Sequence, residues 1–289
     1  LVSTPVSAAE TGQLTNPPTS TEELSSPESI SGNEAASALN GLSVLAANGE
    51  AEVTTASELT GALADSSISR ITLKGDIDIG STLTVNRTVT LDLNGCVLKM
   101  TGSDSVIKVE ADGDLTIQDR NTTTQHKFNP HCKYLTWYID MWELDNGGSE
   151  IVSGGVITGG GGDQSNGGGV LVAGGTLVMA GGSIVGCSAM SRGGGVCNNG
   201  TFIMSDGMIK GCTSPDGQYA SGGGVRNSNQ FTMTGGMIGD PDNENDASHV
   251  YNTSSQETTL TISGNAKIYT DITNVGILNA DGGEIAGTM

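Results

Sequence analysis

Gly167-Gly168-Gly169-Val170 opens a block that recurs at Gly193–Val196 and at Gly222–Val225. A second signal follows about fourteen residues into each block, at Gly181–Ile184, Asp206–Ile209 and Gly235–Ile238. A period between about 20 and 50 residues indicates supersecondary units that bury their apolar faces only by stacking on one another. The recurring Gly-Gly-Gly-Val block therefore predicts a stacked repeat, but it identifies no activity.

Aligning the blocks places like apolar residues at like positions. The first row is Leu177, Phe202, Phe231 and Leu260, the second is Met179, Met204, Met233 and Ile262, and the third is Ile184, Ile209, Ile238 and Ile268. The first two rows are two residues apart, so they share one face of a strand. We expect each row to point inward, with its residues on successive coils about 4.8 Å apart. The glycines are expected at the corners between strands. Because the repeat length varies, the fold class predicted is all-β: a single-stranded right-handed parallel β-helix, which is a solenoid, rather than a rigid left-handed hexapeptide helix.

Two segments precede the repeats. Residues 1–50 are rich in Ser, Thr, Pro and Glu and contain no Lys, Arg or aromatic residue, which predicts a disordered leader. Order is expected to begin near Val53, so the β-helix domain is assigned to residues 51–289. Residues 57–64 are predicted to form a short capping helix, with Thr55 or Ser57 as N-cap. The strands expected next lie at 71–73, 77–79, 83–85, 89–93, 106–109 and 115–117.

Composition excludes several classes of protein. The formal net charge of -20 disfavours nucleic-acid or membrane-surface binding. No apolar run approaches the 18–20 or so residues needed to span a bilayer, so no membrane insertion is expected. The chain starts at Leu1 without a signal peptide, which is therefore absent from this chain or already removed. Cys187 and Cys212 occupy equivalent places in successive blocks, and buried stacked thiols are favoured over a disulfide.

A family resemblance follows from these segments. The stretch from Leu73 to Gly95 resembles the opening coils of pectate-lyase-like β-helix proteins, and the glycine blocks resemble repeat regions of large secreted surface proteins of Gram-positive gut bacteria. The resemblance covers about residues 53–289 and implies the fold. It does not imply one function, because this fold carries lyases, hydrolases, adhesins and phage tailspikes.

The repeat is interrupted at residues 121–150, where half of the aromatic residues and both tryptophans lie. Long insertions on a stacked scaffold tend to be functional, and exposed aromatic rings stack on sugars or anchor partner proteins. The candidate ligand-binding residues are Tyr134, Trp137, Tyr138 and Trp142. The alternative is a hairpin that folds over the repeats and buries Trp137, Ile139 and Met141 against them.

A second candidate is an acidic turn. Asp240, Asp242, Glu244 and Asp246 place carboxylates at alternating positions, as at the start of a calcium loop. Asn245 stands where an EF-hand loop needs Gly, and Tyr251 stands where it needs Glu. Calcium is therefore the only cofactor considered, and a solvated turn is the alternative.

The function predicted is a non-catalytic module, secreted or on the cell surface, that adheres to a glycan or a host surface protein. No catalytic residue is assigned, because the repeats offer Gly, Ser, Thr, Met and Asn where an enzyme of this fold would cluster carboxylates. A polysaccharide lyase or glycoside hydrolase is the first alternative. A structural stalk is the second, and the sequence indicates no oligomeric state.

Overall fold

The computed structural model describes residues 49–133, 140–161, 166–214, 222–243, 246–254 and 257–289. Within them lie one helix, α1 (Ala56–Ala64), and 23 strands, nearly all in parallel pairs. The protein is thus mostly β with parallel sheets, as the all-β prediction requires. The predicted leader lies outside the described residues except for Gly49 and Glu50.

Parallel pairing arranges the strands in three ladders. The first contains β1 (Glu50–Val53), β2 (Arg70–Leu73), β5 (Thr88–Asp92), β8 (Asp114–Gln118), β18 (Gln230–Met233) and the first halves of β14 (Thr176–Val185), β16 (Thr201–Lys210), β21 (Thr259–Ile268) and β23 (Ile277–Ile285). The second contains β3 (Ile77–Ile79), β6 (Val97–Met100), β12 (Val156–Thr158), β19 (Met237–Ile238) and the second halves of those four long strands. The third contains β4 (Leu83–Val85), β7 (Ile107–Val109), β13 (Val170–Val172), β15 (Val196–Asn198), β17 (Val225–Asn227), β20 (Val250–Asn252) and β22 (Ile272–Asn274).

From β2 onward the chain passes through the first, second and third ladders in turn. We call one such passage a rung. The order is broken between β8 and β12, where β9 (Gln125–Lys133), β10 (Asp140–Leu144) and β11 (Glu150–Ser153) form a separate antiparallel sheet in the order β10-β9-β11. We call these three strands the insertion sheet. They lie within the predicted insertion at 121–150, apart from the end of β11.

The predicted inward rows are confirmed by the strand register. Leu177 pairs with Phe202, Phe202 with Phe231, and Phe231 with Leu260. The methionine and isoleucine rows pair in the same way. All twelve side chains are fully buried. The rings of Phe202 and Phe231 stack with centroids 4.5 Å apart and planes 8° apart, so one aromatic contact links neighbouring rungs.

Helix α1 packs at the first rungs, where Leu59, Ala62 and Leu63 are buried. Thr55 is its N-cap and forms a capping box with Glu58. At the other end, Arg87 donates to the backbone oxygens of Ala62, Leu63 and Ile68 at 2.6–2.9 Å. A cation at the carbonyl end of a helix is stabilising, so Arg87 fastens α1 to the ladders.

The third ladder holds a row that the sequence analysis did not identify. Asn198, Asn227, Asn252 and Asn274 are register partners, and each side-chain amide donates to the next side-chain oxygen at 2.7 Å. Each of the first three amides also donates to a backbone oxygen, that of Gln230, Thr259 or Ile277. The row satisfies buried backbone groups at the corner between the third and first ladders.

The triple glycines precede β13, β15 and β17, as expected of corners. Gly167, Gly193 and Gly222, the first of each triplet, have φ of 68°, 61° and 58°, which a side chain would strain. Cys187 and Cys212 are fully buried free thiols one rung apart, in agreement with the favoured prediction. Strands β1 and β6 were not predicted.

Asn227→Ala should destabilise the protein by about 2–3 kcal/mol, because it leaves the Asn252 side-chain oxygen and nearby backbone groups buried without partners. Urea unfolding followed by circular dichroism measures the loss. Asn274→Ala, at the exposed end of the row, is the matched control and should change the midpoint little. Equal effects of the two substitutions would contradict this role for the row.

Candidate functional site: the insertion, the acidic turn and a corner groove

The insertion sheet has its own small core. Trp142 is 1 % exposed and lies with Phe128, Val97, Val152, Val156 and Val185 in a second apolar cluster, separate from the main core. Its ring centroid is 6.4 Å from that of Phe128, at 44°. The insertion therefore packs against the outer side of the second ladder, where Val97, Val156 and Val185 lie.

Two glycines make room for Trp142 on later rungs. An ideal Cβ on Gly211 would lie 2.2 Å from Cγ of Trp142, and one on Gly186 would lie 1.9 Å from its backbone oxygen. The Trp142 amide donates to the oxygen of Gly211 at 3.3 Å. The ammonium of Lys210 stands 4.3 Å from the indole centroid, a cation–π contact.

The expectation of an exposed Trp142 is therefore wrong. The indole fills a glycine-lined recess and presents no face to a ligand. Trp137, Ile139 and the side chain of Met141, which the hairpin alternative buries, lie outside what the structure describes. Tyr134, Trp137 and Tyr138 lie outside the described residues, and ligand binding by them stays a prediction.

The acidic turn, residues 240–246, contacts Lys210 and Gly211, the two residues that also contact Trp142. Asp240 is 6 % exposed, and its carboxylate lies 3.4 Å from Nζ of Lys210 and accepts the Asp242 amide at 3.1 Å. Asp246 is 4 % exposed and accepts the amides of Gly211 at 3.2 Å and Ser248 at 2.9 Å. Burial raises the pKa of the Asp246 carboxyl, and these hydrogen bonds oppose the rise only in part.

Calcium at this turn stays a prediction. Glu244 lies outside the described residues, and Asp242 is exposed. Within the described ranges, no three His, Cys, Asp or Glu side chains are grouped so as to hold a metal ion. The Lys210 ammonium already contacts the Asp240 carboxylate, so a calcium ion would have to share that group with it.

A groove follows the corner between the first and second ladders. We call it the corner groove; its volume is about 430 Å³, and it is lined by Asp119, Thr122, Ser153, Ala180, Gly181, Gly182, Ser183, Asp206, Gly207, Met208, Gly236, Met237, Asn265 and Lys267. Glycines occupy the corner on successive rungs, so backbone rather than side chains forms its floor. Gly182, Gly207 and Gly236 have positive φ there, of 76°, 94° and 80°.

The two sides of the corner groove differ in chemistry. Ser183, Met208, Met237 and Lys267 are successive register partners on the second ladder, which gives one side an apolar stretch that ends at a cation. On the first ladder Ala180 pairs with Asp206. These methionines directly precede Ile209 and Ile238 of the third inward row, and the strand register confirms that they share a side.

The Asp119 carboxylate is committed to the scaffold. It accepts the amides of Gly95 at 2.7 Å, Gly155 at 2.8 Å and Asn121 at 3.3 Å. It therefore joins three backbone segments and orients the corner at which the insertion begins. Asp206 is exposed and accepts the amide of Gly207 at 2.7 Å.

Residues 50–153 match the model of a family described as "Putative pectate lyase-like adhesive domain". This stretch is similar to that family, and we call it the pectate lyase-like region. It runs from β1 to the end of β11 and so includes helix α1 and the insertion sheet. No curated protein and no solved structure matches the chain.

The match is to an adhesive domain, which indicates an adhesion-type module with an extracellular or surface location. It names no source organism, so the resemblance to proteins of gut bacteria stays a prediction. No helix among the described residues is long and apolar enough to cross a membrane.

Gly211→Ala should release the insertion of the pectate lyase-like region, because its Cβ would overlap Trp142 at a residue with φ of 60°. We expect a loss of at least about 2 kcal/mol of stability. In a Trp137→Phe background, the Trp142 emission should move to the red as the indole meets water. Gly80→Ala, where a Cβ would meet nothing within 4 Å, is the control. Unchanged emission in Gly211→Ala would contradict the packing.

The raised pKa of Asp246 predicts a pH dependence. A carboxyl whose pKa is higher in the folded state favours folding fully below its ordinary pKa of about 3.9, and this contribution is lost as the pH rises through the raised value. The stability of the natural protein relative to Asp246→Asn should therefore fall as the pH rises above about 4. Urea midpoints in EDTA measure this difference, with the exposed Asp112→Asn as control.

Calcium adds a second arm to the same measurement. If the turn binds calcium, millimolar calcium at pH 7 should stabilise the natural protein but not Asp246→Asn. The absence of any calcium effect on the natural protein would contradict the calcium prediction and would leave the pH prediction intact.

Proposed function

We propose that the chain is a non-catalytic adhesive module that binds a glycan, or a glycan-bearing host surface protein, along the corner groove. The observation that carries the proposal is the groove itself, whose floor is open and formed by glycines. The match of residues 50–153 to an adhesive-domain family supports it. Its lining comes from five successive rungs, about 19 Å along the stack, a length that suits an extended chain of several sugars.

The lining suits sugars in particular. Sugar rings have apolar faces edged by hydroxyl groups, and binding sites combine apolar contact with a few placed polar groups. Met208 and Met237 offer flexible apolar contact. Asp206, Asn265 and Lys267 offer acceptors and donors.

The proposal includes the winding of the scaffold. We infer that the three ladders wind as a right-handed parallel β-helix. The support is the regular passage through the ladders, together with the strong right-handed preference, about 98%, of crossovers between parallel strands. Such a helix leaves its corners and outer faces open to a ligand.

A glycoside hydrolase would use the same groove. Asp119 and Asp206 lie two rungs apart, about 10 Å, close to the separation of the two carboxyl groups in inverting enzymes. The Asp119 carboxylate, however, accepts hydrogen bonds from three backbone amides, which hold it in place as a structural group. Binding without hydrolysis is therefore the better-supported function.

Filling the groove tests the proposal. Ala180 is exposed in the groove, and Ala180→Trp should lower binding to a glycan array and to immobilised mucin at least tenfold. Thr176→Trp, on the same strand and the same outer face but outside the groove, is the matched control and should bind normally. Thermal midpoints show whether both variants keep the fold.

The other outcomes separate the alternatives. Equal binding by Ala180→Trp and the natural protein would overturn the groove as the site; a triple alanine variant of Tyr134, Trp137 and Tyr138 would then test the insertion. Release of sugars from a bound polymer would favour the enzyme. No binding to any glycan or mucin would favour the stalk.

A further inference from the structure

The outer face of the third ladder carries one side chain per rung. In each three-residue strand the first side chain is buried in the core, and the middle one lies on the opposite face. These middle residues are Thr84, Lys108, Leu171, Cys197, Arg226, Tyr251 and Thr273, in register order. We call this the outer row.

Arg226 stands in the outer row between Cys197 and Tyr251. Its guanidinium carbon is 5.8 Å from the Tyr251 ring centroid. Its Nε is buried and has no hydrogen-bond partner among the described residues. Arg192 precedes the glycine triplet of the rung that contains Cys197. The glycine triplet that follows Arg192 contacts the triplet that precedes Arg226, where the Gly195 amide donates to the Gly223 oxygen at 2.9 Å, so the two arginines belong to neighbouring rungs. Burial and then the charge of Arg192 lower the pKa of Arg226.

Among the arginines of the described residues, these two differ from the other three. Arg70 and Arg120 pair with carboxylates, Arg87 donates to backbone oxygens, and Lys108, the other cation of the outer row, lies 2.7 Å from Glu110. Within the described ranges, neither Arg192 nor Arg226 forms an ion pair. In a chain with a net charge of -20, two arginines on neighbouring rungs that pair with no carboxylate of the described residues form a local anion-attracting site.

The buried polar atoms without partners point to the same ladder. Among the described residues they are Asn166 Oδ1, Arg226 Nε and His249 Nδ1. The backbone of Asn166 forms an isolated parallel β-bridge with that of Arg192 at the entry to the third ladder, and His249 directly precedes Val250 at the start of β20. Buried polar groups nearly always have a partner, so these atoms mark the third ladder as a place where the described residues leave hydrogen bonds unmade.

We propose that Arg192, Arg226 and Tyr251 form a binding site for an acidic saccharide, whose carboxylate or sulfate meets the guanidinium groups. A guanidinium presents paired donors that match two oxygens of such a group. Tyr251 beside it offers a ring and a hydroxyl, which suit a sugar rather than a bare inorganic ion. The inference rests on the proposed adhesion to glycans, but it uses none of the residues that line the corner groove.

Binding of defined hexasaccharides to the full chain tests the site. The probes are a sulfated hexasaccharide from heparin, a carboxylated hexagalacturonate and neutral maltohexaose, measured by titration calorimetry at 50 and 300 mM NaCl. We expect binding of at least one acidic probe that weakens with salt, and a loss of about tenfold or more in Arg226→Gln. The preferred acidic probe identifies sulfate or carboxylate as the group recognised.

Matched variants separate this site from the rest. Lys108→Gln removes a cation from the same outer row and should change binding less than twofold, since that ammonium is already paired. Ala180→Trp should also leave acidic-probe binding unchanged, so failure of the groove and failure of this site are distinguishable. If Arg226→Gln lowers the thermal midpoint, the exposed Arg192→Gln carries the test.

Three results would overturn the inference. They are equal binding by the natural protein, Arg192→Gln and Arg226→Gln; equal binding of the neutral and acidic probes; and no binding of either acidic probe to the natural protein.

Discussion

Parallel strands paired in register place equivalent residues of neighbouring rungs one strand spacing apart, about 4.8 Å, and everything else in this structure depends on that constraint. Stacked side chains must therefore suit copies of themselves. Phenylalanine stacks on phenylalanine, and the methionine and isoleucine rows repeat in the same way. The asparagine row obeys the same constraint in polar form, because an amide can donate to the next amide while its oxygen accepts from the previous one.

The constraint also explains where the chain departs from regularity. A corner must turn without placing a Cβ against the rung below, so glycines gather there and leave the corner groove with a backbone floor. The insertion leaves between the first and second ladders, at the corner that Asp119 ties together. The insertion then packs against later rungs, where Gly186 and Gly211 leave the space that Trp142 occupies. The insertion is thus part of the scaffold it interrupts.

The sequence alone predicted the inward rows and the helix, because hydrophobic periodicity and helix capping are local patterns that can be recognised in the sequence. The asparagine row was also visible, since Val196-Cys197-Asn198 recurs as Val225-Arg226-Asn227 and Val250-Tyr251-Asn252, but it lay outside the apolar alignment. The burial of Trp142 was not visible. Its recess is made by two glycines 44 and 69 residues further along the chain, and glycine gives no sequence signal for what it accommodates.

The same physics limits where binding chemistry can reside. Inward positions must repeat, and the glycines of the corners cannot carry side chains, so variation between rungs is confined to the outward positions and to insertions. In the three-residue strands of the third ladder, only the middle residue is outward, and it changes from leucine to cysteine, arginine, tyrosine and threonine along the stack. A chain with 32 acidic and 12 basic residues places beside a tyrosine in that row a guanidinium that pairs with no carboxylate of the described residues. Since neither the core nor the net charge requires that pair, the outer row is where the proposed acidic-saccharide site can be built without disturbing the stack.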